Sequence, residues 1–194
     1  MTTADRCTAA LTNPDSIVTM RQTSERQDMD VFEAMEKRAS VRAFKPGQVP
    51  RDELLKIIDA GRRAPSGYNH QGWQFIAVID PAILRQLGQI QDCIGQASAA
   101  VAVVMEETRF WKEDASAAIE NMLLAAVALG YGSLWVEGYV LRQEPLARQI
   151  LGVPDDLRVI AVLPVGHPAK EARQAEKKPL DAVLHWNRFG QRDS

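Results

Sequence analysis

The chain has 194 residues and a net charge of −2, with 46% hydrophobic and 25% charged residues, as in ordinary globular proteins. These values exclude a basic field for nucleic acid or an anionic membrane, and no apolar run is long enough to span a bilayer. The sequence shows no secretion signal, and Cys7 and Cys93 are isolated thiols, so we expect a cytoplasmic protein. Because the two cysteines lack metal-ligand spacing, we expect no metal site.

The N-terminal part divides into an extension and the first helix of a domain. Residues 1–27 are polar and aperiodic, which predicts a mobile extension before one domain of residues 28–194. Asp30 is the expected N-cap of a helix that ends near Lys37. The apolar positions of this helix are Val31, Phe32 and Met35.

A cluster of polar side chains follows this helix. If the chain is extended there, Arg38, Ser40 and Arg42 point to one side, because side chains alternate along a strand. Two guanidinium groups and a hydroxyl are donors that suit a phosphate. A solvated basic helix end is the alternative interpretation.

Residues 64–75 combine turn formers with short polar side chains. Pro65 fixes one backbone angle, Gly67 permits a positive φ, and Ser66 and Asn69 can bond locally or to a ligand. The loop follows a predicted helix of residues 51–63, whose inward residues are Leu54, Leu55, Ile57 and Ile58. Either a ligand-binding loop or a plain helix-to-strand connection fits these residues.

Helices and strands alternate along the rest of the chain. The patterns predict a buried strand at 73–79, a helix at 81–87, a polar connection at 88–95, a buried strand at 99–105, a linker at 110–113, a long helix at 114–129, a strand at 133–136, a helix at 143–151, a strand at 158–165 and a tail from 169 to 194. The tail has an apolar stripe without a strand of its own, so we expect it to lie across another subunit.

The usual loops for nucleotide binding and nucleophilic catalysis are absent from the sequence. Residues 130–132 read Gly-Tyr-Gly after a helix, which is not a dinucleotide fingerprint, and there is no phosphate-binding P-loop. No serine elbow or paired cysteine and histidine is present. An enzyme of this sequence would therefore use a cofactor for its chemistry.

Five segments in order resemble the nitroreductase family of FMN flavoproteins. Together they cover roughly residues 30 to 186. The segments are Arg38-Ala39-Ser40-Val41-Arg42, the loop from Ala64 to Trp73, the helix and turn from Ile119 to Ser133, Trp135-Val136-Glu137-Gly138, and Ile150 to Pro154 with the strand that runs to His167.

The resemblance implies an α+β fold, in which helices flank a central, mostly antiparallel sheet and two chains form an intertwined homodimer. It also implies an FMN-dependent oxidoreductase that passes hydride from NADH or NADPH through flavin N5 to an electron-poor acceptor, such as a nitroaromatic or a quinone. No side chain is then needed as a catalytic group. A non-catalytic FMN carrier or sensor of the same fold is the alternative.

The resemblance implies which residues of this chain would bind the cofactor, because they occupy the matching positions of the family's motifs. Arg38 and Ser40 would hold the FMN phosphate and ribityl chain, and Arg42 would lie at the flavin N1/O2 edge, where a positive charge stabilises the reduced cofactor. Contacts from elsewhere would come from Pro65, Ser66, Gly67 and Asn69 of the other subunit, from the backbone of Glu137 and Gly138 near N5, and from Lys177 or Lys178 near the phosphate. Candidate aromatic residues of the substrate pocket are Tyr68, Phe110 and Trp111.

Overall fold

The computed structural model describes residues 29–192, so the predicted extension at 1–27 lies outside the described residues. Within that range, helices lie on both faces of an antiparallel four-stranded sheet, which confirms the predicted α+β class. The described elements are α1 (Val31–Lys37), α2 (Arg51–Arg62), β1 (Trp73–Val78), α3 (Pro81–Leu87), α4 (Asp92–Gly95), β2 (Ala99–Glu106), α5 (Trp111–Ala128), β3 (Gly132–Ser133), α6 (Gly138–Arg142), α7 (Glu144–Leu151), β4 (Leu157–Gly166) and α8 (Leu180–Val183).

Strand β2 is the centre of the sheet, whose order is β1-β2-β4-β3. Trp73 of β1 lies opposite Met105 of β2, and Ala99 at the other end of β2 lies opposite Val165 of β4. A bulge interrupts the β2–β4 register between Val103 and Val104. All residues of β2 but the last are buried, because helices cover both faces of this strand.

Alternating residues of β2 belong to two separate cores. On one face its odd-numbered residues pack with α2 and α5, and on the other its even-numbered residues pack with α3, α4, α6 and α7. Helix α5 approaches α2 closely at Gly61, where an added Cβ would lie 2.8 Å from Cγ of Met122. The sheet and α5 thus form the rigid frame on which the loops are held.

Three predictions about residues 73–113 were wrong in detail. Strand β1 was expected to be buried, but it is a sheet edge, and only Trp73 and Val78 are buried. The polar connection at 88–95 contains helix α4. The linker at 110–113 is largely helical, because α5 begins at Trp111, and the buried Trp111 side chain anchors that first turn.

Apolar side chains on the first two helices are more exposed than predicted. Leu55 is 56% exposed, although Leu54 and Ile57 are buried. On α1 the buried residue is Ala34, whereas Val31, Phe32 and Met35 are about half exposed or more. In the single chain, α1 packs on α5 with Ala34 buried, and the larger apolar side chains of α1 are exposed to solvent.

The segment after β3 also differs from its prediction. The strand at 133–136 is reduced to β3, which ends at Ser133, and to one isolated bridge between Val136 and Val162. The unpredicted helix α6 then begins at Gly138. No helix among residues 29–192 has the length and apolar character that crossing a membrane requires.

Candidate functional site

The 38–42 segment is extended and presents its polar side chains on one side, as predicted. Ala39 and Val41 are 6% exposed and face the core, so Arg38, Ser40 and Arg42 point away from it. The segment is fixed to the sheet because the Val41 N–H donates to the Ser133 carbonyl at 2.9 Å. The parallel bridge between Ser40 and Ser133 extends the sheet at this edge.

Arg38 connects three elements at the start of this segment. Its Nε lies 3.5 Å from Oε1 of Glu120 on α5, in a partly exposed ion pair. The side-chain amide of Gln174 donates to the carbonyl oxygens of Arg38, at 3.2 Å, and Met35, at 2.9 Å. The C-terminal tail therefore runs beside Arg38, and the exposed Lys177 follows Gln174 by three residues.

Arg42 lines a cavity of about 380 Å³ together with Glu137 and Gly138. Gly138 leaves its backbone open, because a Cβ at this position would meet only Nη1 of Arg142, at 3.9 Å. Gln91 also lines the cavity, and its Oε1 is buried without a hydrogen-bond partner among the described residues. An open backbone, a guanidinium group and an unpaired amide oxygen suit a planar polar ligand.

The 64–72 loop is held in an uncommon backbone conformation. Tyr68, Asn69 and Gln71 have φ values of +53°, +56° and +55°, in the left-handed region that residues other than glycine seldom adopt. The Gln71 N–H donates to Oγ of Ser66 at 3.0 Å, which closes the loop on itself. Such strain persists only where surrounding contacts enforce the conformation.

Asp114 is the main contact that fixes the loop, and it was not among the predicted site residues. Its side chain lies in the first turn of α5, is 5% exposed, and accepts the Gly67 N–H at 2.8 Å. The two residues are 47 positions apart, so no local pattern could have paired them. The sequence offered one weak signal, an aspartate at the start of the predicted Ala-rich helix.

The polar groups of the two candidate segments open onto separate cavities in the single chain. Pro65, Ser66 and Gly67 line a cavity of about 330 Å³ with side chains of α5, and this cavity shares no lining residue with that of Arg42. The structure thus brings Arg42, Glu137 and Gly138 together but leaves the loop apart from them. Of the three aromatic candidates, Trp111 is buried, and Phe110 contacts the ring of Tyr68 in the loop.

Replacing Asp114 with alanine is expected to lower the free energy of unfolding by roughly 1.5–3 kcal/mol, because the Gly67 N–H loses a charged acceptor. Urea unfolding measures this loss, and hydrogen exchange at the Gly67 amide should accelerate in the same variant. Asp114→Asn is the matched control, since its amide oxygen can still accept the bond. Equal protection of Gly67 in all three proteins would contradict this assignment.

Comparison with known proteins gives consistent matches over most of the chain. The pattern of the nitroreductase family matches residues 35–112 and 99–167. A protein of Archaeoglobus fulgidus, provisionally named NADH dehydrogenase/NAD(P)H nitroreductase, is 35% identical over 144 residues, which are 69% of this chain and 83% of that protein.

Solved structures agree with the sequence match. An FMN-dependent nitroreductase from Clostridium difficile R20291 has a TM-score of 0.73 and 29% identity, over 80% of this chain and 98% of the other. A nitroreductase with bound FMN from Bacteroides fragilis NCTC 9343 has a TM-score of 0.68 and 29% identity, over 80% and 97% of the two chains.

Proposed function

The chain belongs to the nitroreductase family, and from this premise we propose that it is an FMN-dependent oxidoreductase that transfers electrons from NADH or NADPH to an electron-poor acceptor. The observation that carries the proposal is the cavity that Arg42, the last residue of the polar 38–42 segment, lines together with the open backbone of Gly138. The solved structures of an FMN-dependent nitroreductase and of a nitroreductase with bound FMN support the cofactor.

The described residues fit FMN at two points. Arg38 and Ser40 lie on the same side of the extended segment, where they can hold the phosphate and ribityl chain with charge-assisted bonds. Arg42 would then supply a positive charge at the N1/O2 edge, and Glu137 and Gly138, which line the same cavity, would offer backbone N–H groups towards N5. The bound FMN would supply the two-electron redox chemistry that links the nicotinamide to the acceptor.

A homodimer would complete this site. We assign Pro65, Ser66, Gly67 and Asn69 to the flavin of the partner subunit, which is consistent with their separation from the Arg42 cavity in one chain. Exposed apolar side chains on α1 and the tail are suitable interface residues: Val31, Phe32, Met35, Leu180, Val183, Trp186 and Phe189. The tail also passes Arg38, which supports a phosphate contact from Lys177 or Lys178.

Purified protein tests the proposal directly. It should be yellow or turn yellow with added FMN, and anaerobic NADH or NADPH should bleach the flavin absorption. Addition of a nitroaromatic or quinone should then restore the colour. Bleaching that is slow and independent of acceptor would favour a non-catalytic flavin carrier, and a colourless protein that binds no FMN would contradict the proposal.

A further inference from the structure

An aromatic and cationic cluster lies on the outer side of the 64–72 loop. The rings of Tyr68 and Phe110 are 6.1 Å apart with 50° between their planes, and Cζ of Arg109 lies 5.1 Å from the centre of the Phe110 ring. Tyr68 is 91% exposed. A large aromatic side chain that is so exposed is a common feature of binding surfaces.

This cluster is fixed rather than loosely attached. The Phe110 ring lies directly on the loop backbone, because a Cβ at Gly67 would be 2.5 Å from Cδ2 of Phe110. The buried carboxylate of Asp114 holds the same glycine from inside, and Nε2 of His70 lies 2.9 Å from Oε2 of Glu106 at the end of β2. A rigid aromatic surface loses little conformational entropy when a ligand stacks on it.

Two cavities of about 330 and 180 Å³ lie beside Phe110, and the buried Asp114 carboxylate, which already accepts the Gly67 N–H, lines both of them. The smaller one is lined by Tyr68, His70 and Arg109, and the larger one by Glu113. Arg109 makes no ion pair within residues 29–192, and its guanidinium group lies over the Phe110 ring. It is therefore available to an anionic group on a molecule that stacks against the two rings.

We propose that Tyr68, Phe110 and Arg109 select the electron acceptor, and that they favour planar aromatic acceptors that carry a carboxylate or similar anionic group. The identification of the ligand as an electron acceptor rests on the proposed oxidoreductase function. Ligand binding to this surface does not require catalytic turnover. The aromatic rings stack on the acceptor ring, and Arg109 pairs with its anionic substituent.

Two matched ligands separate charge from ring stacking. 4-Nitrobenzoate and 4-nitrobenzamide have the same ring and nitro group, but only the first carries a negative charge. We expect the full-length, oxidised protein to bind the benzoate about tenfold more tightly in calorimetry, since charge-assisted bonds are the stronger ones. Steady-state kcat/KM for the two acceptors should show the same preference.

Variants then assign the preference to residues. Arg109→Gln should weaken 4-nitrobenzoate binding about tenfold and leave 4-nitrobenzamide within about twofold, whereas Phe110→Leu should weaken both ligands several-fold. Lys112→Gln is the matched control, because this neighbouring cation lies over the ring of Trp111 instead. Circular dichroism and the unfolding midpoint confirm that each variant is folded.

The outcomes distinguish this inference from the proposed function. Equal affinity of the wild-type protein for the two ligands, or equal losses in Arg109→Gln and Lys112→Gln, would overturn the recognition surface even if the enzyme oxidises NAD(P)H normally. Preferential binding of 4-nitrobenzoate that depends on Arg109, in a protein without FMN or NAD(P)H oxidation, would support the surface and refute the oxidoreductase.

Discussion

Replacing Arg38 with alanine should weaken FMN binding by about 1.5–3 kcal/mol, which is roughly a 10- to 150-fold rise in Kd. The expected loss is large because the guanidinium group would make a charge-assisted contact to the phosphate. Arg38 is held in place by its partly exposed ion pair with Glu120 and by the sheet edge that follows it. Titration of the apoprotein with FMN, followed by flavin fluorescence, measures the change.

Two controls separate a phosphate contact from a general effect of charge. Lys37→Ala removes the adjacent cation, whose Nζ bonds to Glu33 at 2.6 Å, and should leave FMN affinity unchanged. Glu120→Gln breaks the same ion pair as Arg38→Ala but keeps the guanidinium group, so FMN affinity should be retained or rise. Wild-type affinity in Arg38→Ala would mean that the arginine is merely solvated.

Local signals predicted most of the elements because each of those signals acts within a few residues. Asp30 caps α1 through the N–H groups of Phe32 and Glu33, and Asp80 with Pro81 begins α3, as the sequence indicated. The all-apolar run of β2 likewise predicted a buried strand. β1 was misjudged because an apolar composition does not tell which strands have a neighbour on both sides.

The candidate site could be predicted only where its residues are close in sequence. The alternation of Arg38, Ser40 and Arg42 is a local property, and the extended segment has the expected geometry. The contact of Asp114 with Gly67 depends on how α5 packs beside the loop, and that packing is not encoded in any short pattern. The residues implied by family resemblance remain predictions until FMN binding is measured in variants.

Replacing Glu144 with alanine should cost about 3 kcal/mol of unfolding free energy, because it leaves Arg158 without its main partner. Glu144 is 8% exposed and accepts bonds from Nε of Arg158 at 2.8 Å, from Nη2 at 2.7 Å and from the Val159 N–H at 3.1 Å. The pair joins α7 to β4. Since about a third of the Arg158 side chain is exposed, water can solvate it partly, which keeps the loss at the low end for a buried pair.

The pH dependence of this loss provides an independent check. The hydrogen bonds from Arg158 lower the pKa of Glu144 below its ordinary value of 4.5, so the pair stabilises the fold fully above that value. As the pH falls through the lowered pKa, the carboxylate is protonated and the contribution is lost. The stability difference between wild type and Glu144→Ala, from urea unfolding at several pH values, should therefore be constant near neutrality and shrink below about pH 4.5.

Glu107 is the matched control for this ion pair. It bonds to Nη1 of the same arginine at 2.6 Å, but its side chain is 56% exposed, so Glu107→Gln should cost less than about 1 kcal/mol. Glu144→Gln should fall between the two, because its amide oxygen can still accept the Val159 N–H while the charge is lost. If Glu107→Gln and Glu144→Ala cost the same, burial would not be what makes the Glu144 contact strong.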